Sequence, residues 1–175
     1  MFTRPWRERL EITNDPRHRA IIETMLRHVQ TEFDGDLDGV MDTMSSDPVY
    51  INTEGDGPRG RAEVRDFYAR MFAHADLGNM RVENVRLIID DDAILTESRV
   101  SQVVPGWRAR ELGYTVPDES GHYAVHRHHA TVLPFDSTGK LCGEVAYARQ
   151  NGPLDWDRIP DDELSAGYLE WLKGR

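Results

Sequence analysis

The strongest constraint on how this chain folds is a series of four long β-favouring segments in its second half. Residues 80–89, 93–104, 122–135 and 141–149 are rich in β-branched and aromatic side chains. The turn-forming run DDDA separates the first segment from the second, and DSTGK separates the third from the fourth. Because such short runs connect neighbouring antiparallel strands, we predict one antiparallel sheet.

Helical spacing dominates the first half of the chain. Asp15 before Pro16 is typical of a helix start, and apolar residues then recur every three or four positions over residues 16–33. A short second helix covers residues 37–44, and a third begins after Gly60. Each helix has an apolar stripe on one side, so we expect all three to pack against the same core.

The order of these elements predicts an α+β fold. Residues 49–51 form a short strand between the second and third helices, and residues 161–173 have the pattern of a closing helix. The expected architecture is a curved antiparallel sheet wrapped on three N-terminal helices, with an extra C-terminal helix. With 175 residues and 39% hydrophobic content, the chain fits a single globular domain over residues 1–175.

Charge and cysteine content exclude several classes of partner. The formal net charge of −10 disfavours binding to nucleic acid or to an anionic membrane. The N-terminal run MFTRPWRERLEI lacks the apolar stretch of a signal peptide. Cys142 is the single cysteine, which removes disulfide frameworks and paired-cysteine zinc sites. We therefore expect a protein of the reducing cytoplasm.

Residues 35–72 carry a resemblance to a known superfamily. They read GDLDGVMDTMSSDPVYINTEGDGPRGRAEVRDFYARMF, and ketosteroid isomerases have a similar run of turn, short helix, strand, loop and helix. The element order resembles the nuclear transport factor 2-like, or SnoaL-like, superfamily, which also contains limonene-epoxide hydrolases and polyketide cyclases. The resemblance implies a cone-shaped domain with one small-molecule pocket and chemistry that needs no cofactor.

The match to ketosteroid isomerase fails at the positions that carry its chemistry. The resemblance places the isomerase's catalytic aspartate on Asn52, its helix tyrosine on His28 and its protonated strand aspartate near Thr131. An amide cannot accept a proton from a carbon acid, so Asn52 argues against steroid isomerisation by the usual route. A lone histidine on a helix is more often a hydrogen-bonded residue at the edge of the core, and that is the preferred interpretation of His28, with polarisation of a substrate carbonyl as the alternative.

Limonene-epoxide hydrolases give a second match on the first strand. Their Tyr-x-Asn pair corresponds to Tyr50 and Asn52, which the i, i+2 spacing places on one sheet face. In those enzymes the pair positions a water molecule with an Asp-Arg-Asp set. Arg99 could supply the arginine, but the aspartates are absent here unless Glu144 replaces one of them. Otherwise Glu144 would form a structural salt bridge with Arg99 or Arg127.

The segment HYAVHRHHATV contains four of the seven histidines. The resemblance places His129 and Thr131 on the pocket face of this strand, and His126 and His128 on the outer face. A neutral imidazole is a competent base near pH 7, which makes His129 the preferred base. No carboxylate follows the HxH pair at cupin-like spacing, so we expect no metal site, with a histidine-ligated metal enzyme as a minority alternative.

The function predicted from these residues is cofactor-independent acid/base catalysis. The reaction would be hydration or dehydration, epoxide hydrolysis, or cyclase-type isomerisation of a small apolar oxygenated ligand resembling a polyketide, steroid or terpenoid. Tyr50 and Asn52 would donate hydrogen bonds, His129 would act as base, and Glu144 and Arg99 would form an orienting pair. The alternative is a binding or assembly module of the same fold that performs no chemistry.

The remaining expectations concern ligand contacts and assembly. The segment 105–121 is too long for a turn and is predicted to close over the pocket as a lid carrying Trp107 and Tyr114. The expected ligand-contacting residues are His28, Phe67, Phe72, Trp107 and Thr131. A homodimer is expected because apolar residues lie on the sheet face away from the helices; they are Val49, Ile51, Val132 and Val145.

Overall fold

The computed structural model describes residues 3–52, 55–74, 79–148 and 155–173. Its helices are α1 Arg4–Ile12, α2 Pro16–Asp34, α3 Leu37–Thr43, α4 Gly60–His74, α5 Gly106–Glu111 and α6 Ala166–Lys173. Its strands are β1 Met44–Ile51, β2 Met80–Ile89, β3 Ala93–Pro105, β4 His122–Pro134, β5 Leu141–Ala148 and β6 Asp155–Ile159. The α+β prediction is confirmed, including the C-terminal helix. The predicted ends near residues 76 and 149 lie outside the described residues.

The six strands form one mixed sheet in the order β1-β5-β4-β3-β2, with β6 also paired to β4. All pairs are antiparallel except β1 with β5, which is parallel. The prediction of a purely antiparallel sheet is therefore wrong for β1. Tight turns impose antiparallel pairing on β2–β3 and β4–β5, whereas no local turn determines the direction of β1 relative to β5.

The helices pack on one face of this sheet. Asp15 caps α2 by accepting hydrogen bonds from the backbone N–H groups of Arg17 and His18, and Gly35 ends the helix with φ at 67°. The apolar stripe of α2 meets the sheet in a core cluster that also contains residues from α1. That cluster comprises Trp6, Ile21, Met25, Val29, Ile94, Leu133, Phe135 and Leu141.

Besides α5, which lies in the segment predicted as a lid, two elements were not predicted, namely α1 and β6. Charged residues occupy much of both segments, so neither shows a strong apolar pattern. Trp6 nevertheless anchors α1 in the core with 1% of its surface exposed. β6 forms because β4 extends beyond β5 and offers its free hydrogen-bonding edge over His122–His126. Within the described chain, no helix combines the length and apolar character needed to cross a membrane.

The segment between β3 and β4 is part of the core, which corrects the prediction of a lid. It contains α5, and its Ala109, Tyr114 and Val116 are buried against side chains of β3 and β4. The Tyr114 hydroxyl donates a hydrogen bond to the backbone carbonyl of His126 at 3.0 Å. Because this segment has its own buried side chains and hydrogen bonds, packing fixes it in place, and it does not open and close over the cavity as a lid would.

The parallel β1–β5 contact generates a test. Gly143 on β5 has φ at +124°, and a Cβ atom there would lie 1.9 Å from the backbone oxygen of Val49. We predict that Gly143→Ala lowers the free energy of unfolding by about 2–5 kcal/mol, through backbone strain and overpacking. The measurement is urea denaturation. The control is Gly167→Ala on α6, where nothing lies within 4 Å; equal losses in both variants would contradict the close approach.

Candidate functional site

A cavity of about 210 Å³ lies between the helices and the inner face of the sheet. Apolar side chains from α1, α2, α4 and the sheet form most of its wall. Its polar side chains are Glu32, Asn84, Thr96, Ser98, His129, Thr131 and Glu144. A larger groove of about 600 Å³ crosses the outer face of the sheet, but it is open and lined mainly by charged side chains. Two partly buried carboxylates, Glu32 and Glu144, face the smaller cavity.

Glu144 reaches the cavity from β5, where it pairs in register with Tyr50 of β1. Burial and the neighbouring Glu32 carboxylate raise the pKa of Glu144 to about 7, although His28 acts in the opposite direction. The ligand atoms of Glu144, Glu32 and His28 all lie within 4.8 Å of one another. Glu144 is therefore an acid that is substantially protonated at neutral pH.

A chain of hydrogen bonds connects two tyrosines to the second carboxylate. The hydroxyl groups of Tyr50 and Tyr68 are 2.8 Å apart, and Tyr68 donates to Glu32 Oε1 at 2.8 Å. Because the single Tyr68 proton goes to Glu32, Tyr50 must donate to Tyr68. Burial, followed by the nearby carboxylates, raises the pKa values of both tyrosines well above their ordinary range. Both phenols thus remain protonated donors.

Counting protons shows that His28 is charged. Thr43 donates its hydroxyl proton to the Val40 carbonyl at 2.6 Å, so His28 Nδ1 must donate to Thr43 Oγ1 at 2.7 Å. His28 Nε2 lies 3.1 Å from the Tyr68 hydroxyl, which has already given its proton, and 3.3 Å from Glu32. Nε2 must also carry a proton to face these two oxygens.

The electrostatic balance at His28 agrees with this count. Burial alone would lower the pKa of His28, but the Glu32 carboxylate, assisted by Glu144, outweighs burial and raises it above the ordinary value. His28 has no exposed surface. A fully buried imidazolium is tolerated only when it is paired, and Glu32 is its partner.

His129 faces the same cavity from β4, on the face where the sequence placed it. Burial lowers its pKa, and the positive charges of Arg127 and His128 lower it further. The imidazole of His129 is therefore neutral at pH 7. His126 lies on the outer face and contacts Asp157 at 3.0 Å, while His128 contacts Glu97 at 2.9 Å.

Comparison with known proteins identifies the family of this chain. A family model described as the SnoaL-like domain matches residues 23–140. The chain belongs to the SnoaL-like domain family. No curated protein sequence is significantly similar to it.

Solved structures share the fold of this SnoaL-like protein. One is the epoxide hydrolase/cyclase-like enzyme SalBIII, described for pyran ring formation in the polyether salinomycin, with 10% identity, a TM-score of 0.54, and coverage of 79% of this chain and 95% of that one. An LEH-like epoxide hydrolase from M. tuberculosis has 19% identity, a TM-score of 0.54, and coverage of 77% and 86%. An NTF2-like protein of unknown function from Cytophaga hutchinsonii has 14% identity, a TM-score of 0.50, and coverage of 73% and 97%.

Two residues expected in the site of this SnoaL-like protein lie elsewhere. Asn52 follows the last residue of β1, so the alternation that orients Tyr50 does not extend to it. Its exposed side chain accepts a hydrogen bond from the backbone N–H of Asp56 at 3.0 Å and holds a turn. Arg99 is exposed on the outer face of β3 and lines the outer groove, so it cannot orient Glu144.

The expected aromatic ligand contacts are also displaced. Phe67 packs against the rings of Tyr50 and Tyr68, with centroids 5.8 and 5.4 Å apart, and Phe72 packs against Tyr68. Both phenylalanines support the tyrosines from behind and do not line the cavity. Trp107 is 43% exposed on α5 and lies outside the cavity wall. Of the expected ligand contacts, Thr131 lines the cavity directly.

Sequence reasoning missed Glu32 and Tyr68. His28 and Glu32 are four residues apart on α2, so they lie one above the other on the same helix face. That spacing, beside the apolar stripe of α2, was the available signal for a buried ion pair. No comparable local signal marks Tyr68, because its partners lie 18 to 40 residues away in sequence.

The described residues contain two groups of side chains that could hold a metal ion. One is His28, Glu32 and Glu144 at the cavity; the other is Asp15, His18 and Asp91 at the surface. In the cavity group, His28 donates a proton through each ring nitrogen, and a metal ligand needs a deprotonated nitrogen. Both ring nitrogens of His28 are therefore used as hydrogen-bond donors in this arrangement and are not free to act as metal ligands.

The raised pKa of Glu144 predicts a specific dependence of stability on pH. The folded state keeps the proton up to about pH 7, whereas the unfolded chain releases it near its ordinary pKa of 4.5. Stability contributed by this group is therefore fully present below pH 4.5 and falls as the pH rises to about 7, by roughly 3 kcal/mol. We predict that Glu144→Gln removes this fall.

The measurement is urea denaturation of the wild type and Glu144→Gln at pH 4.5 and pH 7.5. Glu170→Gln changes a carboxylate that is 76% exposed on α6 and serves as the control. We expect the control to follow the wild type. A Glu144→Gln variant that loses as much stability as the wild type over this range would contradict the assignment.

Proposed function

We propose that this protein hydrates a small strained cyclic ether, such as an epoxide, by acid/base catalysis without a cofactor. The supporting observation is that a protonated carboxylic acid, Glu144, and a neutral imidazole, His129, open on one largely apolar cavity. Two of the structurally similar proteins are described as an epoxide hydrolase/cyclase-like enzyme and an LEH-like epoxide hydrolase. That likeness makes an epoxide the first substrate class to test.

The spacing of the acid groups supports His129 as the base. In inverting glycosidases, the acid that protonates the leaving oxygen and the base that activates water on the opposite side lie about 6.5–9.5 Å apart, and opening an epoxide from its far side likewise needs room for substrate and water. Glu32 lies within 4.8 Å of Glu144, which leaves no room for substrate and water between them. His129 pairs with Ala148, four residues along β5 from Glu144 and thus about 13 Å away along the strand. Side chains converging from these positions can flank a small substrate.

The proposed reaction moves one proton at each end of the substrate. His129 takes a proton from water while the water oxygen attacks an epoxide carbon. As the new C–O bond forms, the old one breaks, and its electron pair goes to the leaving oxygen. Glu144 gives its proton to that oxygen and yields a diol. Proton transfer from the His129 imidazolium to the Glu144 carboxylate through solvent restores both groups.

The hydrogen-bonded residues around Glu144 have a supporting role in this proposal. Glu32 raises the proton affinity of Glu144, and His28 limits that effect by neutralising Glu32. Tyr50 and Tyr68 hold Glu32 in place through the hydrogen-bond chain. We assign Glu32 the task of raising the proton affinity of Glu144, and His28, Tyr50 and Tyr68 the task of holding Glu32 in place, with catalytic contact reserved for Glu144 and His129.

The volume of the cavity limits the substrate. An engineered protein cavity of about 150 Å³ holds benzene, which has six non-hydrogen atoms. On that scale a cavity of about 210 Å³ suits a ligand of roughly eight to ten non-hydrogen atoms. A monocyclic epoxide fits this limit, whereas a steroid is about twice as large. We therefore propose a small terpenoid-like epoxide over the steroid or polyketide alternatives.

The proposal predicts a bell-shaped pH profile and a large loss of rate on mutation. With 1-methylcyclohexene oxide as substrate, kcat/KM should decrease above about pH 7 as Glu144 ionises. It should also decrease below the lowered pKa of His129, because the protonated imidazole cannot accept a proton. Glu144→Gln should reduce kcat/KM by about 10²–10⁴-fold, and His129→Gln should remove the acidic decrease.

The control is Glu97→Gln, which changes a carboxylate that contacts His128 on the outer face. Diol formation is followed by gas chromatography, with ¹⁸O-labelled water to identify the attacking oxygen. The control should retain activity within a few-fold of the wild type. Binding of the epoxide with no turnover in the wild type would favour the non-catalytic binding module.

We also propose that the protein forms a homodimer through the outer face of the sheet. Apolar side chains on this face are only half-buried, among them Val49, Val132 and Val145, and Tyr147 is 62% exposed. No helix of the described chain covers them. A second copy would bury this surface and gain hydrophobic free energy.

Sedimentation velocity at micromolar concentration should show a dimer for the wild type and a monomer for Tyr147→Glu. Trp107→Glu changes an aromatic residue that is 43% exposed on α5 and should leave the dimer intact. A monomeric wild type at 10–100 µM would overturn this proposal.

A further inference from the structure

Helix α1 lies outside the part of the chain that matches the family model, which begins at residue 23. It is nevertheless fixed to the body of the protein. Arg19 of α2 donates hydrogen bonds to the backbone carbonyls of Leu10 and Thr13 at 2.8 and 3.0 Å. These bonds satisfy carbonyl groups at the end of α1 and hold the helix against α2.

The one buried side chain of α1 is Trp6, which forms part of the cavity wall. Trp6 packs with Met25 and Val29 of α2 and with Leu133 of β4, all of which also line the cavity. An indole is the largest side chain available to fill such a position. The volume that remains for a ligand is therefore set in part by Trp6.

Trp6 also presents an unused hydrogen-bond donor. Its Nε1 is buried and has no partner among the described residues, and the same is true of Nδ2 of Asn84, which lines the same cavity. A buried donor without a partner is unfavourable, and it is rare in folded proteins. By contrast, Trp156 Nε1 donates to the Thr115 carbonyl at 3.1 Å. Both residues line the cavity although neither nitrogen is exposed in it, so a side-chain rotation would let a ligand acceptor satisfy a donor that now has no partner.

We propose that Trp6 is the specificity-determining residue of the cavity. It excludes ligands much larger than ten non-hydrogen atoms, and its indole N–H donates to a carbonyl or hydroxyl oxygen on the ligands that fit. Neither nitrogen contacts solvent. The indole of Trp6 therefore has to rotate slightly before its N–H can donate to the ligand oxygen. The accepted ligand thus has an apolar body with a second oxygen function, in addition to the group that reacts at Glu144. This inference rests on the proposed use of the cavity as the substrate site.

The donor is tested with a matched pair of probes. 4-Isopropylcyclohexanone carries a carbonyl oxygen, and isopropylcyclohexane is the same body without it. Calorimetric titration should show that the wild type prefers the ketone. Trp6→Phe keeps an aromatic ring but removes the N–H, and it should weaken ketone binding about three- to tenfold while leaving hydrocarbon binding unchanged. Trp156→Phe, which removes an indole outside the cavity, should retain the wild-type preference.

The size limit is tested with a larger ketone. 4-Cyclohexylcyclohexanone, with 13 non-hydrogen atoms, should not bind the wild type or Trp6→Phe, whereas Trp6→Ala should bind it because loss of the indole frees roughly 140 Å³. If Trp6→Ala fails to fold, Trp6→Val frees roughly 90 Å³ and provides the same test with 4-tert-pentylcyclohexanone, which has 12 non-hydrogen atoms.

The possible failures are distinguishable. An unchanged ketone preference in Trp6→Phe, or binding of the larger ketone by the wild type, would overturn the role of Trp6 and leave epoxide hydration by Glu144 intact. Absence of binding for every probe, together with absence of epoxide turnover, would overturn both proposals. Epoxide turnover that depends on Glu144 while no ketone preference exists would overturn only this inference.

Discussion

The site depends on one constraint, which is that two carboxylates share a buried space. Glu32 and Glu144 approach within 4.8 Å, and two like charges at that distance cannot both remain ionised without compensation. The structure compensates them differently. His28 lies beside Glu32 at 3.3 Å, whereas burial and the Glu32 carboxylate raise the pKa of Glu144 to about 7. Two identical side chains are thereby placed in different environments, and Glu144 becomes an acid that can give up a proton near pH 7.

Five helices and strands contribute to the different environments of Glu32 and Glu144. α2 places His28 and Glu32 one turn apart, α3 contributes the Thr43 acceptor, and α4 contributes Tyr68. β1 and β5 bring Tyr50 and Glu144 side by side through their parallel register. A slip of one residue in that register would move Glu144 to the outer face. The chemistry of the site is therefore inseparable from the topology of the sheet.

β4 shows how a single strand serves two environments. Its outer face holds His126 and His128, which contact Asp157 and Glu97. Its inner face holds His129, which is half-buried, and burial followed by the charge of Arg127 lowers the pKa of this imidazole. Of these three histidines, only His129 faces the cavity between the helices and the sheet. Alternation along a strand is sufficient to separate these roles.

The sequence by itself determined the features that local physics controls. Turn residues and β-favouring runs predicted β2 as residues 80–89, which the structure reproduces. Alternation puts His129 and Thr131 on the same face of β4, and the family resemblance implied that this face is the inner one. Only the tertiary structure decided the parallel pairing of β1, the burial of segment 105–121 and the meeting of His28 with Tyr68 and Glu144. Those outcomes depend on contacts between residues far apart in sequence, whose energies come from packing and burial that no local pattern encodes. Asn52 lies elsewhere than alternation predicts, because alternation holds only while the strand continues, and β1 ends at Ile51 where a local turn begins with the Asn52 N–H donating to the Asp56 carbonyl at 2.7 Å.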